Sequence, residues 1–266
     1  MPLPLAVQLY TFRDPARFGG IGMGLDVPTL TAIADAGFAG VETVDVPGGD
    51  PAEARRVLED LGLAITSSHT WADIDDPEAL ARAAAAVAEL GSSRMIVSPS
   101  GLSSRAAVDS AVDSIVAAGD VAARHGLRLG VHNHSDEMAV LDGMPVIDRL
   151  AAGLGDAIDF QLDIFWVTVG GADPATVIDR LGDRVVSLHI KDGIVLPSAA
   201  GAEPFMNVTV GRGIVNPAPA IAAAEAQPSV EWLIVEFDHV EGSAIEAARQ
   251  SLDYLTSNGL GRARQG

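Results

Sequence analysis

Eight times along this chain a short apolar run is followed by a helical stretch, and several of those stretches open on Asp-Pro or Ser and close on Gly. Asp or Ser supplies an N-terminal cap, Pro fits the first helical turn, and Gly ends a helix in the left-handed conformation. Strands are predicted over 5–12, 39–46, 63–69, 94–98, 127–134, 158–165, 185–191 and 232–237. Helices are predicted over 27–36, 50–61, 77–90, from Ser103 or Ser104 to near His125, and over 144–152, 173–181, 217–226 and 243–255. Strand-helix-strand repeats make neighbouring strands parallel. Eight such units imply closure into a (β/α)8 barrel, the TIM-barrel fold, and active sites of that fold lie at the carboxyl ends of the strands. An open doubly wound sheet is the alternative. It would want a Gly-rich turn after the first strand, where this chain has Tyr10-Thr11-Phe12-Arg13. No phosphate-binding Gly loop and no Gly-x-Ser-x-Gly elbow occurs.

With 266 residues, 48% of them hydrophobic, the chain is expected to form one α/β domain spanning residues 1–266. There is no cysteine, which excludes disulfides, thiolate metal sites and a thiol nucleophile. The formal net charge of −19 makes nucleic acid and anionic membranes poor partners. Met1-Pro2-Leu3-Pro4 lacks the basic start of a signal peptide, and no apolar run is long enough to span a bilayer. A cytoplasmic location is the expectation. A homo-oligomer is compatible with such a barrel, although no interface is legible.

Side chains alternate along a strand, so residues two apart share a face. Gln161 and Asp163 fall together near the end of strand six, and Ser187, His189 and Lys191 near the end of strand seven. Strand eight ends in Glu236 and Asp238, strand five in His132-Asn133-His134, and strand three in His69, with Trp71 just beyond. Strand one offers Gln8 and Tyr10, and strand two offers Glu42. A lone Asp or His at a strand end is more often a loop cap than a ligand. Asp163, His189 and Glu236 on three consecutive strands point instead to a metal. A mixed nitrogen and oxygen set without sulfur suits Mn²⁺, Mg²⁺, Co²⁺ or Zn²⁺.

Six segments in order, from Gly40-Val41-Glu42 and Val131-His132-Asn133-His134 through Leu162-Asp163-Ile164-Phe165-Trp166 and His189-Ile190-Lys191-Asp192 to Val210-Gly211-Arg212-Gly213 and Ile234-Val235-Glu236-Phe237-Asp238, resemble the xylose isomerase-like TIM-barrel superfamily, the sugar phosphate isomerase/epimerase group. The resemblance covers nearly the whole chain and does not specify a substrate. It implies one divalent metal, manganese first, held by a strand-five residue with Asp163, His189 and Glu236. The ketose epimerases of the superfamily carry a glutamate on strand five. Here His132 stands in its place, with His134 two residues on, as in the His-Asn-His and His-His-His branch that includes inosose dehydratase-like and keto-glycoside-eliminating members. His132 is expected as the fourth ligand and His134 as substrate-facing, with Asp136 or Glu137 within reach from the loop.

The implied chemistry is proton abstraction next to a carbonyl of a sugar or keto-sugar. Glu236 is the first choice of base and His134 the second. Lys191 and Arg212 are expected to orient a hydroxyl or an anionic group, although Arg212 fits a solvated loop residue equally well and Lys191 an ion pair with Asp163 or Glu236. His69, Trp71, Trp166 and Gln8 are further candidates for substrate contact. Return of the proton to a different face or carbon makes an isomerase or epimerase, whereas loss of a β-substituent makes a lyase. A non-catalytic sugar-binding barrel and phosphodiester cleavage of the endonuclease IV kind are the other readings. The acidic charge disfavours the last.

Overall fold

Strands that are apolar on one face and polar or small on the other can bury the first face under helices only if they turn the second inward. The computed structural model describes residues 1–13, 26–196 and 205–265 and shows that arrangement. Its eight parallel barrel strands are Leu5–Gln8 (β1), Gly40–Val44 (β2), Ala64–His69 (β3), Arg94–Val97 (β4), Arg128–His132 (β5), Asp159–Asp163 (β6), Val185–Ile190 (β7) and Trp232–Val235 (β8). Each pairs with the next and β8 pairs with β1, so the barrel closes in chain order.

Around it lie Val27–Ala36 (α1), Pro51–Asp60 (α2), Pro77–Leu90 (α3), Arg105–Arg124 (α4), Val146–Leu154 (α5), Ile164–Val169 (α6), Pro174–Leu181 (α7), Pro217–Glu225 (α8) and Ala244–Ser257 (α9). The caps follow the sequence pattern. Asp26, Asp50, Asp76 and Asp173 each accept a backbone N–H of the first turn, with Pro in that turn. Gly37 and Gly91 close α1 and α3 in the left-handed region. No helix among the described residues is long and apolar enough to cross a membrane.

Val7, Val41, Leu129, Leu162, Leu188 and Leu233 belong to one buried apolar cluster with residues of the helical layer such as Ile33, Leu80 and Ile178. The alternate positions carry Ala6, Gln8, Gly40, Glu42, Gly130, His132, Gln161 and His189. The barrel interior is therefore small at mid-height and polar toward the carboxyl ends. At the amino end Asp159 accepts from Arg94 Nε at 3.2 Å and Arg128 Nε at 2.9 Å, and Arg94 also donates to Glu231 at 2.8 Å. Two register shifts stand beside polar interior residues. One lies between Val41 and Thr43 in the β2–β3 pairing, and the other between Phe160 and Gln161 in the β6–β7 pairing. An extra residue on one strand re-aims the side chains next to it.

Several strands stop earlier than their apolar runs suggest. β1 ends at Gln8, whose Oε1 accepts the Tyr10 N–H, and Leu9–Phe12 turns into a 3-10 helix. β6 ends at Asp163, whose Oδ1 accepts from Phe165 and Trp166 N–H and so starts α6, a helix the sequence reading lacked. β5 ends at His132, so His134 is not on the strand and does not continue its face. The helix predicted over 144–152 begins at Val146, because Met144–Pro145 pairs with Val140–Leu141. In the loop 192–216, Gly193–Val195 pairs antiparallel with Phe205–Asn207, and residues 197–204 lie outside the described residues.

Close strand packing makes Gly40 a sensitive position. A Cβ there would stand 2.7 Å from the Ala64 carbonyl oxygen, which is rigid backbone. Gly40→Ala is expected to lower unfolding stability by about 1–3 kcal/mol, read from urea titration. An unchanged midpoint would contradict the packing described here.

Candidate metal centre

At the carboxyl end of the barrel a single carboxylate gathers four donors. Glu42 is fully buried. Its Oε1 accepts from Ser67 Oγ at 2.5 Å and Gln161 Nε2 at 2.6 Å, and its Oε2 from Gln8 Nε2 at 2.6 Å. His189 Nε2 stands 2.5 Å from the same Oε2. Burial pushes the Glu42 carboxyl up, but the imidazoles of His69 and His189 and the bonds from His189 and Ser67 outweigh it and hold it down at about 2.

His189 connects this carboxylate to the outer part of the site. Its Nδ1 lies 2.8 Å from Glu236 Oε2. Burial opposes its charge, yet Glu236 and Glu42 raise its pKa to about 10, so in the protein alone it is an imidazolium between two carboxylates. Lys191 is equally buried. Its Nζ lies 2.7 Å from Glu236, 2.8 Å from Asp238 and 3.1 Å from Asp163. Burial disfavours the ammonium, but Asp163, Asp238 and Glu236 raise its pKa well above the ordinary lysine value. The expected ion pair of Lys191 is thus present with three carboxylates. Burial also raises the Glu236 carboxyl, but Lys191 and His189 bring it well below its usual range.

Asp163 is the least satisfied member. Its Oδ1 is used in capping α6, whereas Oδ2 is buried and makes no hydrogen bond despite its distance to Lys191. Burial raises its pKa, with Lys191 and His189 acting against the rise. Asp163, His189 and Glu236 each offer a ligand atom, and these atoms lie within 4.8 Å of one another. Among the described residues, four carboxylates (Glu42, Asp163, Glu236, Asp238) are ion-paired with His189 and Lys191. An orphaned buried oxygen, an excess of negative charge and a nitrogen–oxygen donor set together fit a divalent cation. His69, His132 and His189 form a second close group.

The other expected residues divide. His132 is buried beside His189 with ring centroids 4.7 Å apart, and its Nδ1 lies 3.0 Å from Gln161 Oε1. Burial, then His189 and His69, push its pKa well below the ordinary value, so it is neutral. His69 Nε2 lies 2.7 Å from the same Gln161 oxygen. His134 is exposed at the rim, its ring 5.2 Å from that of His132 and 5.8 Å from that of Trp166. Its pKa is lowered by partial burial and by Lys191. Trp71 is 62% exposed and 6.2 Å from the Tyr10 ring. Trp166 lies near the site, with Lys191 Nζ 5.6 Å from its ring. Gln8, expected to face substrate, is buried with both amide ends used inside the protein. The Arg212 side chain is exposed and makes no hydrogen bond or ion pair with the described residues.

Several participants have no role assigned from the sequence, among them Glu42, Gln161 and Asp192. Glu42 and Gln161 were placed on their strands without one. Asp192, fully buried, accepts the N–H groups of Gly193, Gly211, Gly213 and Val215 at 2.8–3.0 Å and so folds the loop that carries Arg212. The available signal was a charged or amide side chain inside an otherwise apolar strand, which must find a partner.

The sequence profile of the xylose isomerase-like TIM barrel matches residues 30–258. The chain belongs to that family. No curated protein sequence matches it. Solved structures of similar shape include a sugar phosphate isomerase/epimerase from Parabacteroides distasonis, 20% identical with TM-score 0.78 over 98% of this chain and 100% of that one. A probable 3-DHS dehydratase from Bacillus anthracis is 17% identical with TM-score 0.73, over 96% and 99% of the two chains. The IOLI protein, whose structure has a bound zinc atom, is 12% identical with TM-score 0.72, over 97% and 98%. At these identities the likeness concerns the fold. These structural neighbours thus carry the names of a sugar phosphate isomerase/epimerase and of a probable dehydratase.

Glu137 supplies a stability test. It is 1% exposed and accepts the His134 N–H at 2.9 Å. Burial raises its pKa from 4.5 to about 7, against the pull of its backbone donors. The folded state keeps the proton up to that pH, and the unfolded chain releases it near 4.5. The corresponding stability is full below pH 4.5 and is lost as pH rises to about 7. Relative to Glu137→Gln, the unaltered protein should lose about 3 kcal/mol across this window, measured by urea unfolding. Parallel pH profiles would contradict this.

Proposed function

We propose that this barrel is a divalent-metal-dependent isomerase or epimerase that removes a proton next to the carbonyl of a sugar or keto-sugar. The observation that carries the reading is the convergence of Asp163, His189 and Glu236 from three consecutive strands within 4.8 Å. In this reading they hold the ion, with His132 as fourth ligand through the nitrogen that Gln161 does not occupy. Manganese is the first expectation, with magnesium, cobalt and zinc as alternatives. A bound divalent ion polarises a carbonyl oxygen and stabilises the enediolate as charge builds up.

His134 is the base in this scheme. In its favour are its rim position, its lowered pKa and a ring that makes no hydrogen bond with the described residues. Glu236 is already paired with His189 and Lys191, which suits a ligand better than a base. Lys191 holds positive charge under the developing oxyanion. Trp166 covers an apolar sugar face, Trp71 extends that platform at the mouth, and His69 contacts the substrate from β3. Arg212 meets an anionic or hydroxylated end. Gln8 acts beneath the substrate, through Glu42.

A lyase is the second reading. The observation that favours it is the imidazole at the end of β5, where a second carboxylate would return the proton. His134 would then take the proton while a β-substituent departs with its electron pair and is protonated by solvent.

Incubation of keto-sugars and ketoses in heavy water with Mn²⁺ separates the two. Deuterium in an isomeric product marks an isomerase, and loss of water or aglycone marks a lyase. His134→Asn is expected to lower kcat by about 10²–10⁴-fold with metal content unchanged, and an unaltered kcat would remove His134 as the base. Failure of every sugar to turn over would favour a binding protein.

A further inference from the structure

Glu42 has no capacity left for a metal. A carboxylate accepts at about four lone-pair sites, and Ser67, Gln161, Gln8 and His189 fill four. What it does instead is decide where protons sit on its neighbours. The Gln8 amide is oriented independently, because its Oε1 accepts the Tyr10 N–H at 3.1 Å, so Nε2 is the end at Glu42. Gln161 must also present Nε2 to Glu42, since its oxygen 2.6 Å from a carboxylate would be repelled. The same Nε2 donates to Ser187 Oγ at 3.2 Å. Gln161 Oε1 is thereby turned toward two imidazoles, His69 Nε2 at 2.7 Å and His132 Nδ1 at 3.0 Å, and both must donate. At the other oxygen, an acceptor-only carboxylate 2.5 Å from His189 Nε2 requires a proton on that nitrogen.

We propose that Glu42, although it touches no ion itself, sets the tautomers of the imidazoles in the metal site. When a cation takes the place of the Nδ1 proton, His189 would keep its proton on Nε2 and present the Nδ1 lone pair on the side of Asp163 and Glu236. His132, held through Gln161, keeps its proton on Nδ1 and leaves Nε2 free. Glu42 is a positioning residue for the ligand His189, and the inference rests on the reading of Asp163, His189 and Glu236 as ligands. Hydrogen bonds from outside a metal site commonly fix the tautomer of a ligating histidine and raise its basicity.

Zinc, being diamagnetic, allows a direct test by long-range ¹H–¹⁵N correlation on the ¹⁵N-labelled full chain. The expected spectrum shows His189 bound through Nδ1 with Nε2 protonated, and His132 protonated on Nδ1. Glu42→Gln turns one acceptor oxygen into an NH₂ donor among groups that already donate and removes the charge from the other, so the bond that holds the His189 Nε2 proton is lost or weakened. Zinc affinity by calorimetry should fall about 10- to 100-fold, with a change in the His189 proton position. Gln161→Leu should release His132 while leaving the His189 tautomer intact. Zinc bound through His189 Nε2 would overturn the inference, as would a folded Glu42→Gln protein of unaltered affinity and tautomer. If Glu42→Gln does not fold by circular dichroism, the spectra of the unaltered protein and Gln161→Leu decide. Absence of any zinc binding would remove the metal-site reading itself, and this inference with it, which differs visibly from binding in the wrong tautomer.

Discussion

A carboxylate deep inside a barrel is costly unless every lone pair is used, and the polar end of this molecule is arranged around that requirement. Glu42 is met from β1 by Gln8, from β3 by Ser67, from β6 by Gln161 and from β7 by His189. Closure of the strands into a ring brings donors from both sides to one acceptor, which an open sheet would not do. The register shifts of the β2–β3 and β6–β7 pairings lie next to two of these donors, Ser67 and Gln161. Removing the Glu42 carboxylate would leave four donors without their shared acceptor, so the layer is coupled rather than a set of separate bonds.

Above that layer the balance of charge reverses. Glu236, Asp163 and Asp238 crowd one ammonium and one imidazolium, and Asp163 Oδ2 still lacks a hydrogen bond. The lower layer is saturated and therefore rigid, whereas the upper layer is undersupplied with positive charge and therefore suited to a cation. The amino end of the barrel, where Arg94 and Arg128 satisfy Asp159, has no such deficit. One fold thus separates an end whose charges are matched from an end with an excess of carboxylates.

The eightfold alternation and the caps were legible because they are local. Asp-Pro starts and Gly stops act within one turn, and the structure shows them at α1, α3 and α7 largely as read. The convergence of Asp163, His189 and Glu236 was legible too, because period two along three successive strands fixes which residues share the carboxyl end. The role of Glu42 was not, since its partners lie 34, 119 and 147 positions away. Strand ends were overextended where a side chain bonds the backbone just beyond, as Gln8 does for Tyr10 and Asp163 does for Trp166. In both cases a polar side chain competes with the sheet, and hydrophobic pattern alone does not register that competition.

The measurement that bears most directly on this account is metal stoichiometry. Chelator-treated protein should be dialysed against Mn²⁺ and its metal content determined, with Asp163→Asn in parallel. One ion per chain, lost in Asp163→Asn while both proteins remain folded, is the expected result. No ion in the unaltered protein, or equal binding by Asp163→Asn, would contradict a cation centre built from the ends of β6, β7 and β8.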